Sequence, residues 1–293
     1  MSVRKQELNI PIPLKDDEFE LLQKGIYDDP RVNVYINQRR DFAILQSQPV
    51  VDYSDYLPRV KKLGLENYKL KSSVFKRRFE KISHFLRNGI SSLVEIGAAE
   101  GYFLEIVKHK LPKISLAAVE IDQSTVAHRE KVVGSENYQN LDELCNLGKK
   151  YDVVCLFHLI EHIKNPSSFL MKIRQLMHID SILIIEVPSL SDPLISLYRC
   201  KSYMRFYFQA QHPFVYSSAS LIRLLEHNDL QTQEVINYQR YGLENHLNWM
   251  INKRPGGNEL FRKIFSKTNE DYISELEKYG KTDTVIWVGK MKA

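Results

Sequence analysis

The feature that most constrains this chain is an alternation of short apolar runs with amphipathic segments between residues 92 and 188. The runs are Ser92–Ile96 (SLVEI), Ile114–Ile121 (ISLAAVEI), a weaker one near Tyr138–Leu141, Asp152–Phe157 (DVVCLF) and Ser181–Val187 (SILIIEV), the last stopped by Pro188. Between them the pattern predicts helices. One covers Tyr102–Leu111 and another about Thr125–Val132, with Ser124 as its N-cap. A third is opened by Asn165-Pro166 and runs to about Met177, with Phe169, Ile173 and Leu176 on one face. Strands alternating with helices imply right-handed βαβ units and a mostly parallel sheet. Near-continuous apolar strands imply a sheet covered on both faces. The expected fold class is therefore α/β.

The flanks read differently. Residues 1 to about 70 are polar and punctuated by Pro11, Pro13 and Pro30. They read as an N-terminal cover, with Tyr53 and Tyr56 in a loop or short helix. Phe75, Phe79, Ile82 and Leu86 then mark one face of a helix. After Pro188 the rhythm breaks. About 30 residues (189–218) precede a helix over Ala219–His227 and a strand over Leu230–Tyr238. An aromatic stretch, Tyr241–Lys267, leads to a helix near Tyr272–Tyr279 and a closing strand, Thr284–Gly289. Residues 71–293 read as one α/β domain, with insertions at about 189–218 and 240–280.

Composition removes several classes. The 293 residues are 43% hydrophobic, enough for a core, and no apolar run approaches the ~18–20 residues that span a bilayer. The first residues, MSVRKQELNI, lack the apolar centre of a secretory signal, so a cytoplasmic protein is expected. Cys145, Cys155 and Cys200 are scattered and support neither a disulfide framework nor a zinc knuckle. A net charge of +5 permits an anionic substrate without demanding nucleic acid.

Only 12 glycines occur, and two of them stand four apart between the first strand and its helix, in Val94-Glu95-Ile96-Gly97-Ala98-Ala99-Glu100-Gly101. Gly97 can take the turn leaving the strand, and Gly101 lets the helix beginning at Tyr102 start close to a ligand. The pattern is E-x-G-x-x-x-G rather than G-x-G-x-x-G. Glu95 beside the loop suits an ammonium group better than a pyrophosphate. Glu120, ending the second strand, can accept both hydroxyls of a ribose. The same residues would also serve a plain strand-to-helix turn with an ordinary surface glutamate.

A second cluster, Phe157-His158-Leu159-Ile160-Glu161-His162, follows the fourth strand at the carboxyl edge, where open α/β sheets bind ligands. A neutral histidine can remove a hydroxyl proton near pH 7. His162 is the expected base, with Glu161 orienting it or binding substrate. His212, in Gln211-His212-Pro213-Phe214, is a further catalytic candidate. Beyond the sixth strand, Arg240, Tyr241, Asn245 and His246 mix aromatic, amide and cationic groups suited to sugars and anions. With His158 they are the candidate substrate contacts, though the same mixture could simply cap the sheet edge. His84, His109, His128, His178 and His227 read as surface residues of helices.

From Lys71 to Ala293 the chain resembles class I S-adenosylmethionine-dependent methyltransferases. The resemblance rests on the Glu95–Gly101 loop, on Glu120, on the Glu161-His162 pair before Asn165-Pro166, and on the strand alternation. It implies a Rossmann-like, seven-stranded, mostly parallel sheet with helices on both faces, an N-terminal helical cover and a C-terminal insertion. It implies S-adenosylmethionine as cofactor, its methionine part on the loop (Glu95, Gly97, Ala99, Gly101, Tyr102) and its ribose on Glu120. Ile121 would flank the adenine and Phe157 the methyl-donor end. Gln239-Arg240-Tyr241, Asn245-His246-x-x-Trp249 and Lys253-x-Pro255-Gly256-Gly257 resemble bacterial methyltransferases associated with polysaccharide or O-antigen assembly. That likeness implies O-methylation of a sugar or sugar-linked small molecule.

Two alternatives remain beside it. Small-RNA 2′-O-methyltransferases carry E-x-x-E-H here and bind a divalent cation. This chain has His158-x-x-Glu161-His162, so the first ligand is changed, and His212 falls where those enzymes place another. A divalent metal held by His158, Glu161, His162 and His212 would follow from that reading. The mild charge weighs against an RNA acceptor. The other alternative is a SAM-binding assembly subunit without catalysis, against which the intact Gly97, Gly101 and Glu120 weigh. There is no cysteine-rich N-terminal segment, no N/D-P-P-Y motif and no Pro-Cys nucleophile after the fourth strand. These absences argue against zinc-bearing sugar C-methyltransferases and against DNA base methylation.

Overall fold

The structure, a computed structural model, describes residues 2–4, 8, 10, 18–48, 68–86, 89–257 and 259–292. Four short strands come first: β1 (Ser2–Arg4), β2 (Glu18–Gln23), β3 (Val34–Asn37) and β4 (Phe42–Leu45). Helix α1 (Tyr68–Ile82) leads to β5 (Ser92–Ile96), α2 (Tyr102–Lys110), β6 (Ser115–Val119) and α3 (Val126–Val133). Then come β7 (Asn137–Tyr138), α4 (Leu141–Asn146), β8 (Tyr151–Phe157), α5 (Pro166–Gln175) and β9 (Met177–Pro188). The insertion after β9 holds α6 (Pro193–Ser196), α7 (Lys201–Tyr207) and β10 (Phe214–Tyr216). The chain ends with α8 (Ser218–His227), β11 (Leu230–Tyr238), α9 (Leu243–Asn252), α10 (Glu259–Ile264), α11 (Ser266–Lys278) and β12 (Thr284–Met291).

The main sheet has seven strands in the order β11-β12-β9-β8-β5-β6-β7. β12 runs antiparallel to both neighbours, and the other pairings are parallel. The chain moves outward from β5 to β7, then returns to β8 on the other side of β5. That reversal is a topological switch point, and it opens a crevice at the carboxyl ends of β5 and β8. Register places Glu95 opposite Ala118 on one side and Cys155 on the other, and Phe157 opposite Glu186. The ends of β5, β6, β8 and β9 therefore share one edge.

Helix starts follow from local chemistry. The Asn165 side chain accepts the Ser168 N–H at 3.1 Å with Pro166 in the first turn of α5, as expected. Ser217 and Ser220 form a reciprocal capping box on α8. Ser124 is not a cap, contrary to expectation. The Asp122 carboxylate accepts the Ser124 N–H at 2.8 Å, and a 3-10 turn over Gln123–Thr125 precedes α3. His178, expected on a helix, lies on β9 with Nε2 3.0 Å from Asp152 Oδ1.

The helical character expected of the N-terminal cover is corrected. Its described residues form a second, antiparallel sheet in the order β1-β2-β3-β4-β10. β10 comes from the insertion after β9 and pairs Val215 with Ala43. All residues of β3 and β4 are buried, because the sheet is covered on both faces. Phe42, Phe214 and Tyr216 join the core under β5, β8 and β9. Val34, Ala43 and Leu45 face Leu194, Tyr203, Phe208 and Trp249 of the C-terminal insertions. Runs of four residues are too short to declare a strand, and the pairing partner lies about 170 positions away. Tyr53 and Tyr56 lie outside the described residues.

Candidate active site

The glycine loop leaves β5 in a backbone that few residues tolerate. Gly97, Ala99 and Gly101 all have positive φ, at 78°, 46° and 83°. At Gly97 a Cβ would stand 3.1 Å from the Leu159 side chain, so glycine is required there by both torsion and space. Gly101 is the N-cap of α2, with no side chain capping the helix. Glu120, at the end of β6, bridges the loop. Its Oε2 accepts the Ala99 N–H at 2.8 Å and its Oε1 the Asp122 N–H at 2.9 Å. A carboxylate accepts about four hydrogen bonds, so capacity for hydroxyl donors remains.

Glu95 is 3% exposed, and its Oε2 has no hydrogen-bond partner among the described residues. Burial pushes its pKa up to about 8. Arg78 opposes that rise, while Glu120 and Glu186 add to it. A buried, unsatisfied carboxyl beside a glycine turn offers the acceptor that an ammonium group requires. The ring of Phe157 stands 4.7 Å from that of Phe103, edge to face. Ile121 is 54% exposed, an apolar side chain open at the rim. Tyr102 packs between Phe75 and His128. His128, read from sequence as a surface residue, is half-buried with Nδ1 2.6 Å from the Glu100 carbonyl.

The second half of the crevice lies beyond β8. His158 takes φ = 52°, a left-handed backbone rare for a non-glycine. Its Nε2 is 2.9 Å from Glu186 Oε1, and its Nδ1 is 3.4 Å from Glu161 Oε1, an ion-pair contact without hydrogen-bond geometry. Burial works to lower the His158 pKa, but these carboxylates outweigh it and the net shift is upward. Arg78 reaches Glu186 with two bonds, of 2.7 and 2.8 Å, and lies 4.4 Å over the Phe157 ring. Arg240 Nη1 lies 3.2 Å from His158 Nε2, and its Nε donates to Asp283 at 3.1 Å.

Glu161 is 1% exposed. Burial alone would raise its pKa, but His158, His162 and His212 around it bring the net shift downward. His162 Nδ1 is 2.8 Å from the Gln211 carbonyl oxygen, which can only accept. A neutral His162 therefore carries its proton on Nδ1 and its lone pair on Nε2. The rings of His162 and His212 are 4.7 Å apart. Burial, with His162 beside it, pushes the His212 pKa down to about 3, so that imidazole is neutral at pH 7. Ligand atoms of Glu161, His162 and His212 all lie within 4.8 Å of one another. His158, the fourth metal candidate, is turned instead to Glu186 and Arg240.

The C-terminal candidates separate. Arg240 enters the crevice network, and Tyr241 is half exposed beside it, its ring 5.6 Å from the guanidinium carbon. Asn245 and His246 face elsewhere. The Asn245 amide donates to the Gly256 carbonyl at 3.1 Å and ties off a turn. His246 is 1% exposed, 2.7 Å from the Tyr272 hydroxyl, and burial pushes its pKa down to about 4. Its place is structural, behind Gln239.

Sequence reasoning missed Arg78, Glu186 and Asp283. Two of them carried a signal: Glu186 interrupts the apolar run SILIIEV, and Arg78 sits on the apolar face marked by Phe75, Phe79 and Ile82. Asp283 has only its position beside a strand. It accepts from the Gln239 side chain, the Arg240 and Tyr241 N–H groups, the Arg240 guanidinium and Thr284 Oγ1.

The comparisons with known proteins agree with this architecture. A SAM-dependent methyltransferase from Archaeoglobus fulgidus superposes with a TM-score of 0.54 at 19% identity, over 82% of this chain and all of that one. The plantazolicin methyltransferase BpumL, solved with a pentazolic desmethylPZN analogue and SAH, gives a TM-score of 0.49 at 14% identity, over 82% and 92% of the two chains. No curated protein matches the chain. The family model described as a methyltransferase domain matches residues 62–235, more than half of the chain, and the chain belongs to that family. It is an S-adenosylmethionine-dependent methyltransferase.

Proposed function

We propose that this enzyme methylates a hydroxyl of a sugar or sugar-linked small molecule, with His162 as general base. The observation that carries the reading is the bond from His162 Nδ1 to the Gln211 carbonyl, which leaves the lone pair on Nε2. When bound, S-adenosylmethionine supplies a methyl group activated on a sulfonium. Glu95 takes the amino-acid ammonium, and the turn from Gly97 through Ala99 and Gly101 to Tyr102 follows the methionine part. Glu120 accepts the ribose hydroxyls, Ile121 flanks the adenine, and Phe157 lines the methyl-donor end. His162 Nε2 removes the acceptor proton as the in-line displacement proceeds, and a charged Glu161 stabilises the imidazolium that forms. His212 stays neutral and faces the acceptor. Arg240 and Tyr241 supply a cation and an aromatic face at the rim, which suits a sugar.

Residues 71–293 are then the cofactor-binding domain, with acceptor contacts from 189–218 and 240–280, and residues 1–70 cover the crevice. Among the described residues no helix is long and apolar enough to cross a membrane. The test is an acceptor screen with methyl-labelled S-adenosylmethionine across nucleotide sugars, lipid-linked glycans and RNA. Label on glycans but not RNA is expected; label on RNA alone overturns the sugar reading. Tight binding with no transfer to any acceptor would favour the assembly role.

A second reading has its own observation. The mutual approach of Glu161, His162 and His212 suits a divalent cation, with the Gln211 carbonyl fixing the His162 tautomer as it would for a ligand. Such an ion would act as a Lewis acid on the acceptor oxygen, and His162 could not then be the base. Activity unchanged by a chelator removes this reading.

A further inference from the structure

One side chain joins the two loops that frame the candidate cofactor crevice. Arg129, on α3, is fully buried. Its Nη1 donates to the Ala99 carbonyl at 2.6 Å and to the Asp122 carbonyl at 3.3 Å, and its Nη2 also donates to Asp122, at 3.2 Å. Nη1 also donates to Thr125 Oγ1, and Nε donates to Asn137 Oδ1 at 3.1 Å. None of these acceptors is a carboxylate. Burying a guanidinium among neutral acceptors costs stability, and the group holds its place only through several well-directed bonds.

Those bonds fall on one strained point. Ala99 takes φ = 46°, a conformation that an alanine avoids. Its N–H is held by Glu120 Oε2, and its carbonyl is held by Arg129 and by Thr125 Oγ1 at 3.0 Å. Asp122 is held in the same way, its N–H by Glu120 and its carbonyl by Arg129. The Arg129 stem also passes close to Gly101, where a Cβ would stand 3.2 Å from its Cγ. The glycine loop, the Glu120 carboxylate and Arg129 thus form one closed set of contacts.

We infer that Arg129 is a positioning residue for the cofactor. It holds Ala99 in the left-handed conformation and so fixes both the loop and the Glu120 carboxylate before the cofactor arrives. The inference rests on the reading that this loop and Glu120 bind S-adenosylmethionine.

The test is calorimetric titration of the full chain with S-adenosylhomocysteine, with thermal melting to confirm folding. Arg129→Met keeps most of the stem and is expected to weaken binding by about 10- to 100-fold, the range for losing charge-assisted hydrogen bonds. Adding Ala99→Gly, which takes a positive φ without strain, is expected to recover about fivefold or more of that loss. A folded Arg129→Met with wild-type affinity overturns the inference, as does a double variant with no recovery, because Arg129 would then not act through Ala99. Should Arg129→Met fail to fold, Thr125→Val removes the second bond to the Ala99 carbonyl. It is expected to weaken binding by about 3- to 10-fold, and an unchanged affinity overturns the inference there too. If the wild-type chain itself binds no S-adenosylhomocysteine, it is the cofactor reading that fails.

Discussion

The two halves of the crevice are built in opposite ways. On the side proposed to bind the cofactor, contacts are close in sequence: Ala99 to Glu120 spans 21 positions and Ala99 to Arg129 spans 30. That side holds Ala99 in a left-handed backbone and leaves Oε2 of the buried Glu95 and Oδ2 of the buried Asp122 without hydrogen-bond partners among the described residues. On the side proposed for the acceptor the spans are 49 for His162 to Gln211, 82 for Arg240 to His158 and 108 for Arg78 to Glu186. There the cations Arg78, His158 and Arg240 are matched by the carboxylates Glu186, Glu161 and Asp283. The buried carboxyl of Glu95 is arranged to receive a charge. The acceptor half holds its geometry through long-range ion pairs, and neither oxygen of its buried Glu161 has a hydrogen-bond partner among the described residues.

The largest test of that contrast is His162→Ala. Loss of a general base is expected to lower turnover by ~10²–10⁴-fold while affinity for S-adenosylhomocysteine stays unchanged. A matching loss of affinity would show that the two halves are not separate. Next comes Arg78→Met, which takes from the buried Glu186 its guanidinium partner. Breaking a buried pair costs about 3–5 kcal/mol, readable as a lowered urea midpoint. A midpoint at the wild-type value would mean that the acceptor half does not depend on its charge balance.

Gly97→Ala forces an alanine into φ = 78° against Leu159. A loss of about 1–2 kcal/mol is expected, with cofactor affinity falling as well, because the loop must shift. The smallest effect is a pH dependence. Glu95 is protonated at neutral pH in the free protein, its pKa being raised from 4.5 to about 8. Binding an ammonium favours the ionised form, so affinity should rise with pH up to about 8, by at most about tenfold per unit, with proton release on binding. The linked stability runs the other way. A raised carboxyl pKa favours the free folded state below 4.5 and loses that contribution as pH rises through about 8. Glu95→Gln should abolish the rise in affinity, measured by calorimetry in buffers of different ionisation enthalpy. A rise that persists in this variant would assign the proton elsewhere.

The same contrast explains how much was legible. The glycine loop, Glu120 and the edge position of Glu161-His162 were readable because a strand, a turn and a helix in succession fix their own geometry. Asn165-Pro166 capped its helix as expected, whereas Ser124 did not, since Asp122 supplied the side-chain oxygen first. Asn245 and His246 have residue types that suit a sugar. Which way a helix faces is settled by what packs against it, and α9 turns His246 inward to Tyr272. The strands of the N-terminal sheet were missed because β4 finds its partner β10 only after the intervening fold has formed.

By itself the sequence determined the βαβ order and the glycine turn after β5, because each depends on residues within a few turns of chain. Only the tertiary structure decided that the N-terminal strands join β10 in an antiparallel sheet. It also decided that Arg78, Glu186 and Asp283 set its charges, and that Arg129 closes its loops. Those arrangements depend on contacts between distant segments, and burial, which makes an unpaired charge costly, exists only once the chain has closed around them.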